Sequence, residues 1–228
     1  MTPIQNLYKM LKFTSDPSIL TEAQINVLLP LLSEEVGTRE ASRIKRLLAR
    51  SGLKPIKRVE DFDWKFNPKL PREELMQMVE TPWKKEDRNF MLIGSTGVGK
   101  THLAMSTCYK AILQGVPAAF ITCDALIKKL EQSRNKNALL EYYSTVKLLC
   151  IDEIGYVFPK TDEADKIFQI VSRRSELTST IITTNLRPSQ WGKIFESGTA
   201  TAILDRLSLN GSFMTCEGDS YRRRKKNK

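Results

Sequence analysis

Gly94-Ser95-Thr96-Gly97-Val98-Gly99-Lys100-Thr101 is the stretch on which the reading of this chain turns. It satisfies G-x-x-x-x-G-K-[ST] at every fixed position. The apolar run Phe90-Met91-Leu92-Ile93 leads into it, and a helix-like segment over residues 102–113 leads out. Strand, loop, helix is the context in which this pattern cradles phosphate. Glycines let the backbone turn tightly enough for amide hydrogens to converge on phosphate oxygens. The start of the following helix adds partial positive charge at the same place. The spacing therefore predicts that residues 94–101 wrap a nucleotide's phosphates. Lys100 reaches the β- and γ-phosphates, and the Thr101 hydroxyl binds Mg²⁺. His102, the one histidine of the chain, goes with this loop as a first-turn residue, which excludes a histidine-based metal site.

On the C-terminal side of the loop, apolar strands alternate with helical segments, the mark of a parallel α/β sheet. Strands are expected at 118–122, 147–151, 180–184 and 212–216, which with the Phe90 run makes five. Helices are expected from Asp124, as a cap, to 130, and over 138–144 and 165–177. On the N-terminal side, Pro71 suits the first turn of a helix running to about 80. Farther back the chain reads as helical up to about Lys57. Thr2, Pro3 and Gln5 look like a cap, a first-turn proline and a capping-box partner. Ile4, Leu7, Tyr8 and Leu11 follow at helical spacing. A second helix is expected over 23–35, kinked or split at Pro30, and a third over 38–50, stopped by Gly52. Between 59 and 64 the composition turns acidic and aromatic, as at the start of a new domain, with Phe62 or Trp64 packing near the nucleotide.

The second half of the nucleotide site is Leu148-Leu149-Cys150-Ile151-Asp152-Glu153. A buried strand that ends in two carboxylates is costly unless they meet a cation or water. Asp152 is expected to hold Mg²⁺ through water, and Glu153 to orient or deprotonate the attacking water. A kinase that transfers phosphate to a substrate hydroxyl has less use for the second acid, so the pair favours ATP hydrolysis. Asn185 ends the strand after that. If this strand lies between the loop strand and the Asp-Glu strand, its side chain lies between the γ-phosphate and Glu153. That is the place of the sensor I residue of AAA+ ATPases; an Asx-turn before Pro188 is compatible with it.

A hydrophobic fraction of 41% and a charged fraction of 27% belong to an ordinary globular protein. No apolar run approaches the roughly 20 residues that span a bilayer, and the N-terminus lacks signal-peptide architecture. The cysteines at 108, 123, 150 and 216 have no metal-like spacing and read as buried reduced thiols of a cytoplasmic protein. A net charge of +10 suggests a polyanionic partner, nucleic acid or acidic lipid. The charge gathers at Arg39, Arg43, Arg46 and Arg50, and again at Lys128, Lys129, Arg134 and Lys136. Such stripes suit contact with a phosphate backbone. No recognition-helix pattern accompanies them, so readout of base sequence is not implied.

Five blocks in fixed order carry a resemblance: residues 94–104; Ile151-Asp152-Glu153-Ile154-Gly155; Thr183-Thr184-Asn185-Leu186 with Gln190-Trp191-Gly192; Ala202-Ile203-Leu204-Asp205-Arg206-Leu207; and Ser220-Tyr221-Arg222. Spanning roughly 60–222, they resemble the IstB family, helper ATPases of bacterial insertion sequences. That family is close to the DnaC helicase loaders within the AAA+ initiator group. The resemblance implies a P-loop NTPase of AAA+ type, with a five-stranded parallel sheet between helices and a small N-terminal helical domain. Fewer than fifty residues follow Asn185, so the C-terminal lid is truncated. By position, Arg206 matches the arginine finger that reaches a neighbouring subunit's γ-phosphate, and Arg222 the sensor II arginine that touches the phosphates of its own subunit. Ser208-Leu209-Asn210-Gly211 departs from the family, where many relatives carry histidines.

The domain expectation is a DNA- or partner-contacting helical part over 1–58, an ATPase domain over 59–222 and a disordered basic tail over 223–228. The resemblance implies ATP and Mg²⁺ as cofactors, a homo-oligomer bridged by ATP on double-stranded DNA, the element's own transposase as partner, and no membrane. A DnaC-like helicase loader on single-stranded DNA, a small-molecule P-loop kinase and a non-enzymatic DNA-binding scaffold remain the alternatives.

Overall fold

The computed structural model describes residues 2–86, 88–156, 159–175 and 177–224. The chain divides into two compact units, residues 1–46 and 47–228.

The smaller unit opens with α1 (Pro3–Leu11). Thr2 Oγ1 accepts from the Gln5 amide at 3.4 Å, and Gln5 Oε1 accepts from the Thr2 amide at 2.8 Å, the reciprocal cap its sequence predicts. Ile4 and Leu11 are the buried positions of its apolar face. The two helices expected next are one, α2 (Glu22–Arg50), with Pro30 inside it. Pro30 removes the bond to the Asn26 carbonyl, but both residues are exposed, so water can take that carbonyl. Gly37 costs about 1 kcal/mol relative to alanine. Continuing through both weak positions avoids a second helix nucleation, which fixes several dihedrals for a single bond. No residue of α2 is buried.

In the larger unit, α3 (Arg72–Val79) precedes β1 (Asn89–Gly94), α4 (Lys100–Leu113), β2 (Ala118–Thr122), α5 (Cys123–Gln132) and α6 (Lys136–Thr145). Then come β3 (Leu148–Ile154), α7 (Thr161–Arg174), β4 (Ser179–Thr184), α8 (Ser197–Ser208), β5 (Gly211–Cys216) and α9 (Tyr221–Arg224). The strands form one parallel sheet in the order β2-β3-β4-β1-β5. Met91, Leu149, Ile151 and Ile182 on the strands pack with Ile167, Ile170 and Ile203 on α7 and α8. Residues 47–58 belong to this unit. The Ser51 carbonyl accepts from the Phe120 amide at 2.7 Å and Leu53 is buried, so this segment covers the edge of β2.

For three of the elements that differ from their predicted bounds, the local reason is visible. Thr122, not Asp124, caps α5, its hydroxyl accepting from the Ala125 amide at 3.2 Å; Asp124 sits in the first turn and pairs with Lys128 at 2.7 Å. The helix α7 starts four residues earlier than 165, because Glu163 Oε2 accepts from the Lys160 amide at 2.8 Å. It ends at Arg174, whose buried guanidinium donates to the carbonyls of Tyr143 and Val146, both at 2.8 Å, and to the Thr180 hydroxyl at 3.0 Å. Strand β3 runs on to Ile154 and takes Asp152 and Glu153 into the sheet.

Among the described residues beyond β5, the single turn α9 is the one helix, and residues 225–228 of the expected basic tail lie outside the described residues. Among the described residues no helix is long and apolar enough to cross a membrane.

Candidate functional site

The sheet order puts β4 between β1 and β3, the condition on which the Asn185 reading depends. A cleft of about 540 Å³ opens beyond the carboxyl ends of these strands, where parallel sheets bind ligands. The phosphate loop forms its floor. Gly97 (φ 86°) and Gly99 (φ 110°) are in the left-handed region. A side chain at Gly97 would run into Ser220, and one at Gly99 would meet the Phe62 ring at 2.5 Å. Both positions therefore need glycine on two counts, conformation and space.

Lys100 Nζ donates to the carbonyls of Gly94 at 2.6 Å and Ser95 at 2.8 Å, which leaves one of its three donors for a ligand. Burial lowers its pKa, against the opposing fields of Cys216, Asp152 and Glu153, while nearby Arg222 adds to the lowering. Thr101 Oγ1 lies 3.1 and 3.0 Å from the two Asp152 carboxylate oxygens. Asp152 is 2% exposed. Burial raises its pKa, opposed by its bonds from Thr183 and Thr101. Glu153 lines the cleft and has φ 63°, left-handed for a residue that is not glycine.

That backbone has a cause. Along β3 and β4, Ile151 pairs with Ile182 and Ile154 with Thr184, so Asp152 and Glu153 oppose the single residue Thr183. This is a β-bulge, which bends a strand and re-aims a side chain. The Glu153 amide donates to Thr183 Oγ1 at 3.0 Å, and the same hydroxyl donates to Asp152 Oδ1.

Of the other predicted site residues, Asn185 stands one position past β4, exposed, where its Oδ1 would lie 2.9 Å from a Cβ on Gly155. It is not among the cleft-lining residues; Thr183, two residues earlier, is. His102 lines it too, Nε2 sharing a hydrogen bond with the Arg58 carbonyl at 2.7 Å and its ring edge-on to Phe62. Phe62 lines the cleft and Trp64 does not; Phe66, Tyr156 and Tyr221 line it as well. Tyr156 reaches over the loop, its hydroxyl 2.5 Å from Thr96 Oγ1.

Arg222 lines the cleft, held there by a strap. The Tyr221 amide donates to the Gly97 carbonyl at 3.0 Å, and the Tyr221 ring packs edge-on to Phe66 at 5.0 Å. Buried Asn67 grips the backbone of Asp219 both ways: Nδ2 donates to its carbonyl at 3.0 Å, and Oδ1 accepts from its amide at 2.9 Å. Arg206 is not among the cleft-lining residues. It lies on α8, its guanidinium 5.1 Å above the Phe168 ring and bonded to the Ala202 carbonyl at 3.1 Å.

The basic residues are exposed. Arg39, Arg43, Arg46 and Arg50 recur every three or four residues along one stripe of α2, with Arg39 also bonded to Glu35 at 2.5 Å. Lys128, Lys129, Arg134 and Lys136 gather at the α5–α6 connection. Thr183, Asn67 and Tyr156 were not singled out from the sequence. Thr183 and Tyr156 fall in or beside motifs, whereas nothing local marks Asn67.

The donor set fits a nucleotide with magnesium. A glycine-lined loop with one free ammonium donor suits phosphates. A hydroxyl beside a buried carboxylate offers the hard oxygens that Mg²⁺ prefers. Among the described residues no cluster of three or more histidine, cysteine or acidic side chains is able to hold a metal, so the ion would complete its shell with phosphate and water. The four cysteines are buried free thiols; burial pushes Cys123 up to about 12 and Cys216 up to about 11.

The comparisons with known proteins agree with this geometry. Residues 10–228 match the family described as IstB-like ATP binding protein. The predicted ATP-binding protein of insertion sequence IS232 from Bacillus thuringiensis subsp. berliner is 32% identical over 202 residues, 87% of this chain and 81% of that protein. Its counterpart in IS21 of Pseudomonas aeruginosa is 34% identical over 201 residues, 86% of this chain and 76% of that protein. The crystal structure of DnaI superposes with a TM-score of 0.61 at 20% identity, covering 72% of this chain and 89% of that one, a likeness of fold. With its loop, its Asp-Glu strand and its sheet order in the arrangement of an AAA+ P-loop NTPase, the chain belongs to the IstB-like ATP-binding proteins.

Proposed function

We propose that the protein is an ATP-hydrolysing AAA+ regulator of DNA transposition. It assembles on double-stranded DNA, selects the target site and recruits or stimulates the transposase of its element. The observation that carries the hydrolytic part is the convergence of Lys100, Thr101, Asp152 and Glu153 on one cleft. Thr101 and Asp152 would hold Mg²⁺ on the phosphates, and Glu153 would activate water. The oligomeric part is supported by Arg206, an arginine outside its own cleft on an element that ends at the surface. An arginine supplied from the next subunit stabilises charge on the transferred phosphoryl group, so ATP bridges subunits and its hydrolysis releases them. Arg222 and Asn185 would contact the phosphates and the attacking water within the subunit. The arginine stripe of α2 and the basic α5–α6 connection would contact the DNA backbone. The insertion-sequence relatives support the transposase as partner.

Phosphate release with Mg²⁺-ATP, measured with and without duplex DNA, tests this. Lys100→Ala is expected to lose ATP binding. Glu153→Gln is expected to bind ATP and lose turnover by about a hundredfold or more. Arg206→Ala binds ATP without hydrolysing it, and mixing it with Lys100→Ala protein restores part of the activity, because each supplies what the other lacks. Absence of recovery under co-assembling conditions removes the finger role. A strong preference for single-stranded DNA would move the protein to the helicase-loader reading.

A further inference from the structure

The threonines of β4 divide by what their hydroxyls do. Thr184 Oγ1 accepts from the Leu186 amide at 3.1 Å, a local turn bond. Thr180 Oγ1 takes the buried Arg174 side chain. Thr183 alone turns its hydroxyl to the neighbouring strand, at the one place where the ladder is interrupted. It is 1% exposed and lines the cleft. Its oxygen accepts the Glu153 amide hydrogen left without a regular ladder partner by the bulge, and its single proton goes to Asp152 Oδ1. A hydroxyl can do both at once because it carries one donor and two acceptor lone pairs. One side chain thus fixes the backbone of one carboxylate residue and the carboxylate of the other.

We propose that Thr183 is a positioning residue of the nucleotide site: by bridging the Glu153 amide and the Asp152 carboxylate across the bulge, it sets the distance between the water-activating acid and the metal-holding acid. The inference rests on the hydrolytic reading of the cleft. Glu153 holds a left-handed backbone that costs energy for a non-glycine residue, and such a conformation persists only where neighbours over-determine it. The Thr183 hydroxyl supplies that determination. Without it, the Glu153 amide is left unpaired and the strand relaxes toward regular pairing, which swings the Glu153 side chain off the attacking water.

Thr183→Val keeps the branched shape and removes the hydroxyl; Thr183→Ala removes it with less bulk; Thr183→Ser keeps it. Each is measured at a temperature where circular dichroism reports a native fold. In the nucleotide-free protein, exchange of the Glu153 amide is expected to accelerate about tenfold in the valine and alanine variants and to stay near wild type in the serine variant. With Mg²⁺-ATP, kcat is expected to fall about a hundredfold in the first two, the scale of a misplacement near 1 Å, with ATP affinity within about threefold of wild type. Serine restores both readouts. Wild-type turnover in the valine or alanine variant, alongside an inactive Glu153→Gln control, overturns the role of Thr183 and leaves the hydrolytic reading standing. A serine variant as slow as valine also overturns it. Equal rates for wild type and Glu153→Gln overturn both.

Discussion

Asp152 is a carboxylate almost sealed from water, and that sets how the site responds to pH. Burial is the main cause of its raised pKa, with the neighbouring charge of Glu153 adding to it. Because the folded state holds this proton more tightly than the unfolded chain does, ionising Asp152 costs stability. The cost is absent below the ordinary carboxylate range near about 4 and grows as pH rises to the raised folded value, above which it is constant. A divalent cation reverses the preference, since it binds the ionised form. Mg²⁺-dependent ATP affinity is therefore expected to fall as pH is lowered through the raised range of Asp152, while affinity in chelator changes less. Titration calorimetry at stepped pH checks this. Asp152→Asn should abolish the pH dependence, weaken Mg²⁺-ATP binding about tenfold or more, and raise the melting temperature of the nucleotide-free protein at neutral pH. Residues of this kind are legible in sequence because their chemistry is local. Glycines that must turn around phosphate, and two acids ending an apolar run, announce themselves. Thr183 does not: its hydroxyl matters only because the register brings it opposite a bulge two strands from the loop. Nor does Arg174, an arginine on an amphipathic helix until the packing of α7 on β4 buries it.

At the scale of elements, the five strands are readable from their apolar runs, with ends off by at most three residues. The helices are less so. Proline costs a helix both a hydrogen bond and a ring clash with the carbonyl four residues back, and on exposed α2 water offsets the first of these. The least legible element is the strap over the phosphate loop, because Asn67 and Asp219 lie 152 residues apart. Asn67→Ala removes both of its bonds. ATP affinity is expected to drop about tenfold, near 1.4 kcal/mol, as Arg222 loses its anchor. Titration with a fluorescent ATP analogue checks this. In an Arg222→Ala background the same substitution should cost much less, since a double-mutant cycle isolates the coupling between them.

At the scale of the whole molecule, the division near residue 46 makes a prediction about separability. The unit from 47 onward has its own sheet, core and cleft, whereas α2 contributes no buried residue. A fragment of residues 47–228 is expected to fold cooperatively and bind Mg²⁺-ATP within about threefold of the full chain. Its affinity for duplex DNA should fall, and the slope of log affinity against log salt should flatten by about 0.9 for each phosphate that Arg39, Arg43 and Arg46 no longer neutralise. Anisotropy at two salt concentrations measures both. An unchanged slope would remove the α2 stripe from the DNA path.

The Asn67–Asp219 pair also has a mechanical meaning. It staples the segment before α3 to the segment after β5, and the Tyr221 amide fastens that staple to Gly97 of the phosphate loop. The span of chain between residues 67 and 219 is thereby closed into a ring with its seam at the nucleotide. Tension applied to the chain beyond residue 221 would load these three bonds before it reached the sheet, whereas from the N-terminal side the Ser51–Phe120 bond to β2 would be met first. The seam would act as a fuse, and the first thing to yield under load would be the grip on ATP.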